Sequence, residues 1–323
     1  MRSSKTRVAE KAGSWYTKEG PKLKNELNSW LENAHKTCNQ NHSGGSDPRR
    51  AGGNNQRLKA IISPHAGYVY CGVTAAFGFS QINAEEVDRV FILGPSHRMY
   101  LEDCALTGHQ FYATPVGDLH IDTETVAQLR NTGHFSEMSS KVDREEHSIE
   151  MQLPFLAHVL NSAGEGHLER VKIVPILVGA LKEDRERFYG QVLAPFLLQP
   201  RTIFIISSDF CHWGDRFSYT PYPDKNEGLP IYQSIERLDR EGMSIIESIN
   251  MSNFSKYIQR TKNTICGRHP IAVLLAAVEE LKSKHLNGTK VDIRFLHYSQ
   301  SGPVKKSHDS SVSYAAAKLT FTG

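Results

Sequence analysis

Apolar residues in this chain fall into short continuous runs, separated by stretches in which they recur every three or four positions. Three of the runs share an ending. Residues 60–62 (AII) lead into Ser63-Pro64-His65-Ala66-Gly67, residues 90–93 (VFIL) into Gly94-Pro95-Ser96-His97, and residues 203–206 (IFII) into Ser207-Ser208-Asp209-Phe210-Cys211-His212. Continuous apolar runs of this length predict strands buried on both faces, as in parallel sheets, and the carboxyl ends of such strands are where α/β proteins place polar side chains. If the three strands lie parallel in one sheet, their histidine-bearing turns meet at one rim.

The periodic stretches predict helices between the strands. Pro21 opens one, carrying Leu23, Leu27, Trp30, Leu31 and Ala34 on a single face. A short helix is expected over 72–80 and another over 118–132. The acidic run Asp143-Arg144-Glu145-Glu146 suits a helix start that continues through Ile149, Leu153, Leu156 and Val159, kinked or broken at Pro154. Residues 171–178 read as a strand whose Pro175 belongs at an edge or bulge. Helices are expected over 183–198 and 231–249, the latter with Ile235, Leu238, Ile246 and Ile249 inward and Gly242 as a weak point. Pro270 favours a first helical turn just after Cys266. Strands over 291–298 and 311–321 close the chain. Residues 38–57 are nearly free of apolar side chains, which predicts a flexible surface loop in which His42 is solvated. With no internal repeat and no separating linker, the expected architecture is one α/β domain over 1–323, a largely parallel or mixed sheet flanked by helices.

Composition narrows the function classes. The 323 residues are 39% hydrophobic and 23% charged, ample for a core. The formal charge of +3 arises from 38 basic and 35 acidic residues spread along the chain, without the basic stripe that nucleic-acid binding requires. No apolar run is long enough to span a bilayer, and residues 1–16 lack the apolar centre of a signal peptide. Five scattered cysteines without a CxxC pair point to free thiols in a reducing compartment, cytoplasmic or nuclear.

Among residues able to do chemistry, His65 and His97 come first. A single strand-end histidine is usually a structural hydrogen-bonding residue, but two at neighbouring strand ends suit metal ligation. Cys266 is the natural third ligand. Its thiol, of reference pKa about 8.5, would be eased towards thiolate by a helix N-terminus and by Arg268; the alternative is an inert buried thiol. Asp209 could orient His212 or support a metal site, with His212 as acid or base, or else cap a following helix. Glu146 and His147 look like a solvated helix start, supporting a site from behind at most. His269 reads as a packing residue.

These residues lie in longer motifs. PHAGYVYCG (64–72), ILGPSH (92–97), EEHSIEMQLPF (145–155), SSDFCHWG (207–214), GMSIIE (242–247) and NTICGRHPI (263–271), with AGSWY (12–16) and DSSVSYAA (309–316), closely resemble the Memo family, mediators of receptor-driven cell motility. Only 38–57 and the surroundings of Asn287 diverge. The resemblance implies a fold similar to class III, non-haem-iron extradiol dioxygenases. It also implies a metal set of His65, His97 and Cys266, with Asp209 and His212 lining the pocket in catalytic roles. Those dioxygenases use two histidines and a glutamate, with a further histidine as acid and base; here Cys266 stands in the glutamate's place and His212 in that histidine's. Thiolate is softer than carboxylate and oxidises readily, so the implied ion is copper or iron with redox capacity, and ring cleavage is not expected. The family further implies a cytosolic role relaying signals from receptors to actin and microtubules. Its implied partners are a phosphotyrosine receptor peptide or receptor adaptor and cytoskeletal signalling proteins. No arginine cluster for phosphate is evident beyond Arg268. The alternatives are a metal-independent phosphotyrosine-peptide adaptor using a relic pocket, and an active metal-dependent dioxygenase.

Overall fold

The computed structural model describes residues 5–40 and 56–323. The centre of the fold is a mixed sheet containing β1 (Gln56–Ser63), β2 (Arg89–Pro95), β3 (Lys172–Val178), β4 (Thr202–Ser207), β5 (Lys290–Gln300) and β6 (Ser311–Thr322). Their spatial order is β3-β2-β4-β1-β6-β5, with shorter strands continuing beyond β3. The first four are parallel; β6 runs antiparallel to both β1 and β5. The apolar runs are buried along their whole length, as strands covered on both faces must be.

The helices that frame the sheet and its strand ends are α1 (Gly20–Gln40), α2 (Tyr68–Phe79), α3 (Leu153–Ser162), α4 (Glu183–Leu198), α5 (Ile231–Glu247), α6 (Met251–Thr261) and α7 (Arg268–Lys284). Phe91 of β2 stacks on its register partner Phe204 at 4.6 Å and meets Phe196 of α4 at 5.1 Å. Ile61 lies one position out of phase with Ala60, which pairs with Phe204, and it packs against Gly78 of α2 instead. Helices α2 and α4 therefore cover opposite faces of the sheet.

The predicted strands and the helix over 183–198 form as expected. Several other boundaries move. Helix α1 runs on to Gln40 and β1 begins at Gln56, so only 41–55 of the expected loop, with His42, lie outside the described residues. Helix α2 starts at Tyr68, four residues before the predicted 72. Instead of one helix over 118–132 there is a strand, Leu119–Ile121, followed by a helix, Thr123–Asn131, which Asp122 caps through the Thr125 N–H. Pro175 is not at the sheet edge. It pairs with Ile92 on one side, and on the other it falls between the two residues joined to Leu119–Ile121 and the three joined to Cys104–Leu106, where no ladder donor is needed.

The acidic helix also ends early. Ser139 caps Ser140–Glu145, Glu146 turns to extended backbone (ψ 130°), and a new helix begins at Leu153 with Pro154 in its first turn. The chain thus makes a loop over 146–149 where a continuous helix was expected.

Helices α4 and α7 approach closely at Gly190, where an added Cβ would lie 2.5 Å from Ala276 Cβ and 2.8 Å from the Ala277 nitrogen. Gly190→Ala must push α4 and α7 apart. It is expected to destabilise the protein by about 1–3 kcal/mol in urea unfolding, and an unchanged midpoint would contradict the packing described.

Candidate functional site

The in-register parallel strands set the site. Leu93 of β2 pairs with Ile206 of β4, which pairs with Ile62 of β1. Three residues past that row stand His65 and Asp209, and four past it His97. After β4 the chain crosses the end of β1: the Ser208 N–H donates to the Ser63 carbonyl (2.9 Å), the Phe210 N–H to the Ser313 carbonyl (2.8 Å), and His212 pairs with Val312 of β6. Cys266 arrives from the other direction, in the turn before α7.

One ring nitrogen each of His65 and His97 and the Cys266 Sγ lie within 4.8 Å of one another. The two rings are 5.2 Å apart at 74°, and Sγ is 3.1 Å from His65 Nε2. The Asp209 N–H donates to Sγ at 3.2 Å, while Asp209 Oδ1 accepts the His65 N–H at 2.8 Å. Asp209 caps no helix, because the chain beyond it enters the short strand His212–Trp213.

Hydrogen bonds fix the His65 tautomer. Ser207 Oγ donates its one hydrogen to the Ser148 carbonyl (2.7 Å), so it must accept from His65 Nδ1 (2.7 Å), as it does from Gln152 Nε2 (2.8 Å). Nε2 is left with its lone pair towards the thiol. Burial, reinforced by His97, His147 and His212, holds the His65 pKa well below the ordinary histidine value, so the ring is neutral. Cys266 departs from expectation. Burial, with the nearby Asp209, pushes its thiol well above the ordinary value, outweighing the backbone N–H groups of Asp209 and Gly267 and the Ser208 hydroxyl; Arg268 is not among the groups that lower it. Burial likewise raises Asp209. The N–H of His212 donates to Thr264 Oγ1 (2.7 Å), and its Nδ1 lies 2.9 Å from the Phe210 carbonyl and 3.1 Å from that of Thr264.

The largest correction concerns Glu146 and His147, which are not a solvated helix start. Glu146 is 1% exposed and accepts four N–H groups: His97 N (2.7 Å), His97 Nδ1 (3.0 Å), His147 N (2.9 Å) and Ser148 N (3.0 Å). Burial opposes its ionisation, but the hydrogen bond and charge of His97, with His147 and the Ser148 N–H, hold its carboxyl down at about 2. His147 stacks on His97 at 4.4 Å and stands 5.5 Å from His65 and 4.7 Å from Trp15. Burial above all, then His97, lowers its pKa to about 3. A nitrogen each of His97 and His147 and an oxygen of Glu146 form a second group within 4.8 Å; His147 Nδ1 lies 3.5 Å from Glu146 Oε1 and has no hydrogen-bond partner among the described residues.

Arg7 belongs to the site's support although nothing in its sequence surroundings marks it. Its buried guanidinium pairs with Glu150 (2.8 Å) and Asp143 (3.2 Å) and donates to the carbonyls of Asp143, Arg144 and Glu146 (2.9, 3.1 and 2.9 Å), clamping the loop that carries Glu146. His269 does more than fill space, since its Nδ1 meets Glu186 Oε1 of α4 at 2.6 Å.

An α/β domain whose parallel strands present, at their carboxyl ends, a buried and an exposed histidine beside a partly exposed thiol from a neighbouring turn is the class these features define. The chain belongs to the Memo family, whose description, Memo-like protein, matches residues 7–318. It is 46% identical over 314 residues to "Protein memo-1 homolog" of Caenorhabditis elegans, covering 97% of this chain and 82% of that protein. It is 45% identical over 314 residues to "Protein MEMO1" of Homo sapiens and 47% identical over 313 residues to that of Danio rerio, covering 97% of each chain in both cases. Among solved structures, the uncharacterized protein JW3007 from Escherichia coli K12 aligns with a TM-score of 0.40 at 11% identity, over 80% of this chain and 99% of that one, a likeness too loose to build on.

Ser207→Ala removes the acceptor that fixes His65. Wild type is expected to show a neutral His65 with hydrogen on Nδ1 between about pH 5 and 8 in long-range nitrogen–proton NMR. The variant should lose that single-tautomer signature and about 1–3 kcal/mol of stability through the unpaired donors left behind. An unaltered ring signature would contradict the assigned network.

Proposed function

We propose that this Memo-family protein binds a copper or iron ion through His65, His97 and Cys266, and that the site serves redox chemistry within receptor-to-cytoskeleton signalling and cell motility. The observation that carries the reading is the convergence of two imidazole nitrogens and one thiol within 4.8 Å, with the His65 Nε2 lone pair turned to the sulfur.

The donor set fits such an ion. Imidazole and thiolate suit copper and iron. His65 is already neutral and oriented through Ser207, so it need lose no proton. Cys266 must give up its proton on ligation, and the Asp209 N–H stands ready to donate to the sulfur that results. His97 is oriented from behind by Glu146, in the manner of carboxylate–histidine–metal arrangements. A bound copper or iron ion would supply one-electron chemistry. His212 would take up or release a proton at Nε2, its Nδ1 being directed at backbone carbonyls. Asp209 aligns the site by holding the His65 backbone with its carboxylate and the sulfur with its N–H.

The cytosolic signalling role, with receptor-derived and cytoskeletal proteins as partners, rests on membership of the family. Among the described residues no helix is long and apolar enough to cross a membrane.

Anaerobic calorimetric titration of the reduced protein with Fe(II) and Cu(I) tests the proposal. Tight one-to-one binding is expected, weakened at least about 100-fold in both His65→Ala and Cys266→Ala, since removing even an outer partner of a metal ligand costs 10–100-fold. Absent binding, or binding indifferent to both changes, would contradict it.

A further inference from the structure

The groups facing the pocket from its far side sit on two loops, 208–213 and 263–267, that belong to no regular element long enough to hold them. Both loops converge on one side chain of α5. Asp239 is fully buried, and its Oδ1 accepts the Cys211 N–H of the first loop (3.2 Å) and the Asn263 Nδ2 of the second (3.0 Å). Its Oδ2 accepts the Tyr298 hydroxyl of β5 (3.0 Å), and the Ser313 hydroxyl of β6 also donates to the carboxylate. One carboxylate therefore ties together both site loops, a helix and the two antiparallel strands.

The ties sit close to the site in the chain. Cys211 precedes His212, and Asn263 comes three residues before Cys266. Between them the loops are joined through Thr264, whose Oγ1 accepts the His212 N–H (2.7 Å) and donates to the His212 carbonyl (3.0 Å). Asn263 spends its second amide hydrogen on the Tyr257 hydroxyl (2.8 Å), and Tyr257 in turn donates to the Leu238 carbonyl next to Asp239 (2.8 Å). All these partners donate towards Asp239, so the arrangement requires an acceptor there. Burial raises the carboxyl to about 6, which leaves it ionised at neutral pH. A buried carboxylate with its donors in place is costly to disturb and fixes the groups bonded to it.

We infer that Asp239 is the positioning residue of the site's far wall, holding the His212 and Cys266 loops in the one arrangement that presents the thiol to His65. Its bearing on metal binding rests on the function proposed above; its effect on the loops does not. Without Asp239 as acceptor, the Cys211 and Asn263 donors lose their partner and the turn that holds the partly exposed Cys266 in place opens.

Asp239→Leu, close in size but with no acceptor for those donors, tests this, with Asn263→Ala as a second variant that releases only the Cys266 loop. The readout is the iodoacetamide alkylation rate of each cysteine at pH 7.5, mapped by mass spectrometry in the full chain. Cys104, buried in the outer strand Cys104–Leu106, reports on the fold as a whole. The expected result is Cys266 alkylation at least tenfold faster in both variants with Cys104 unchanged, together with at least tenfold weaker Fe(II) or Cu(I) binding. If Cys266 and Cys104 accelerate together, Asp239 only stabilises the fold and the inference fails; it fails too if neither changes. Wild type that binds no metal while Cys266 alone accelerates would overturn the proposed function and leave the positioning role standing.

Discussion

The parallel, in-register pairing of β2, β4 and β1 is the constraint on which the rest depends. Because Leu93, Ile206 and Ile62 lie in one row, the chain leaves the three strands at the same level. The backbone groups exposed at those ends are buried and must find partners. They find them in one another's loops: the Ser63 carbonyl takes the Ser208 N–H, and the Pro95 carbonyl takes the Ser148 hydroxyl. Satisfying the strand ends and assembling the site are therefore one event. A shift of one residue in any of these pairings would turn the apolar runs out of phase with the helices that cover them.

Most of the polar groups gathered at this rim are buried and need partners, whereas His97 is exposed. His65, Asp209, Glu146, Ser207, Ser148 and Gln152 are all nearly inaccessible to water. Each of the two imidazoles has one nitrogen engaged from behind, His65 by Ser207 and His97 by Glu146. Burial dominates the electrostatics: it keeps His65 and His147 neutral and Cys266 protonated, and for Glu146 the surrounding donors overcome it. His65 thus offers a neutral nitrogen to a protonated thiol, an arrangement that gains from a cation able to take the place of that proton.

Much of this is legible in the sequence. The strands are written as unbroken Val, Ile and Phe runs, and His65, His97 and Cys266 stand out by their places at strand ends and before a helix. The structure places one donor atom of each within 4.8 Å of the others. What the sequence hides is long-range. An acidic run followed by spaced apolar residues reads the same whether the helix continues or stops, and here it stops because Glu146 is held by N–H groups of His97, 49 positions away. Arg7 looks like a solvent-facing residue near the start of the chain, yet its carboxylate partners lie 136 and 143 positions on. Asp239 sits on an amphipathic helix whose polar positions are mostly exposed, and only the returning loops make it a core residue.

If two imidazoles and one thiol of this pocket form a metal centre, X-ray absorption spectroscopy of the metal-loaded protein will reveal it most directly. One sulfur scatterer is expected beside imidazole nitrogens in the ion's coordination shell, with the sulfur absent in Cys266→Ser. A shell of nitrogen and oxygen alone in wild type, or a sulfur that survives in that variant, would contradict such a centre.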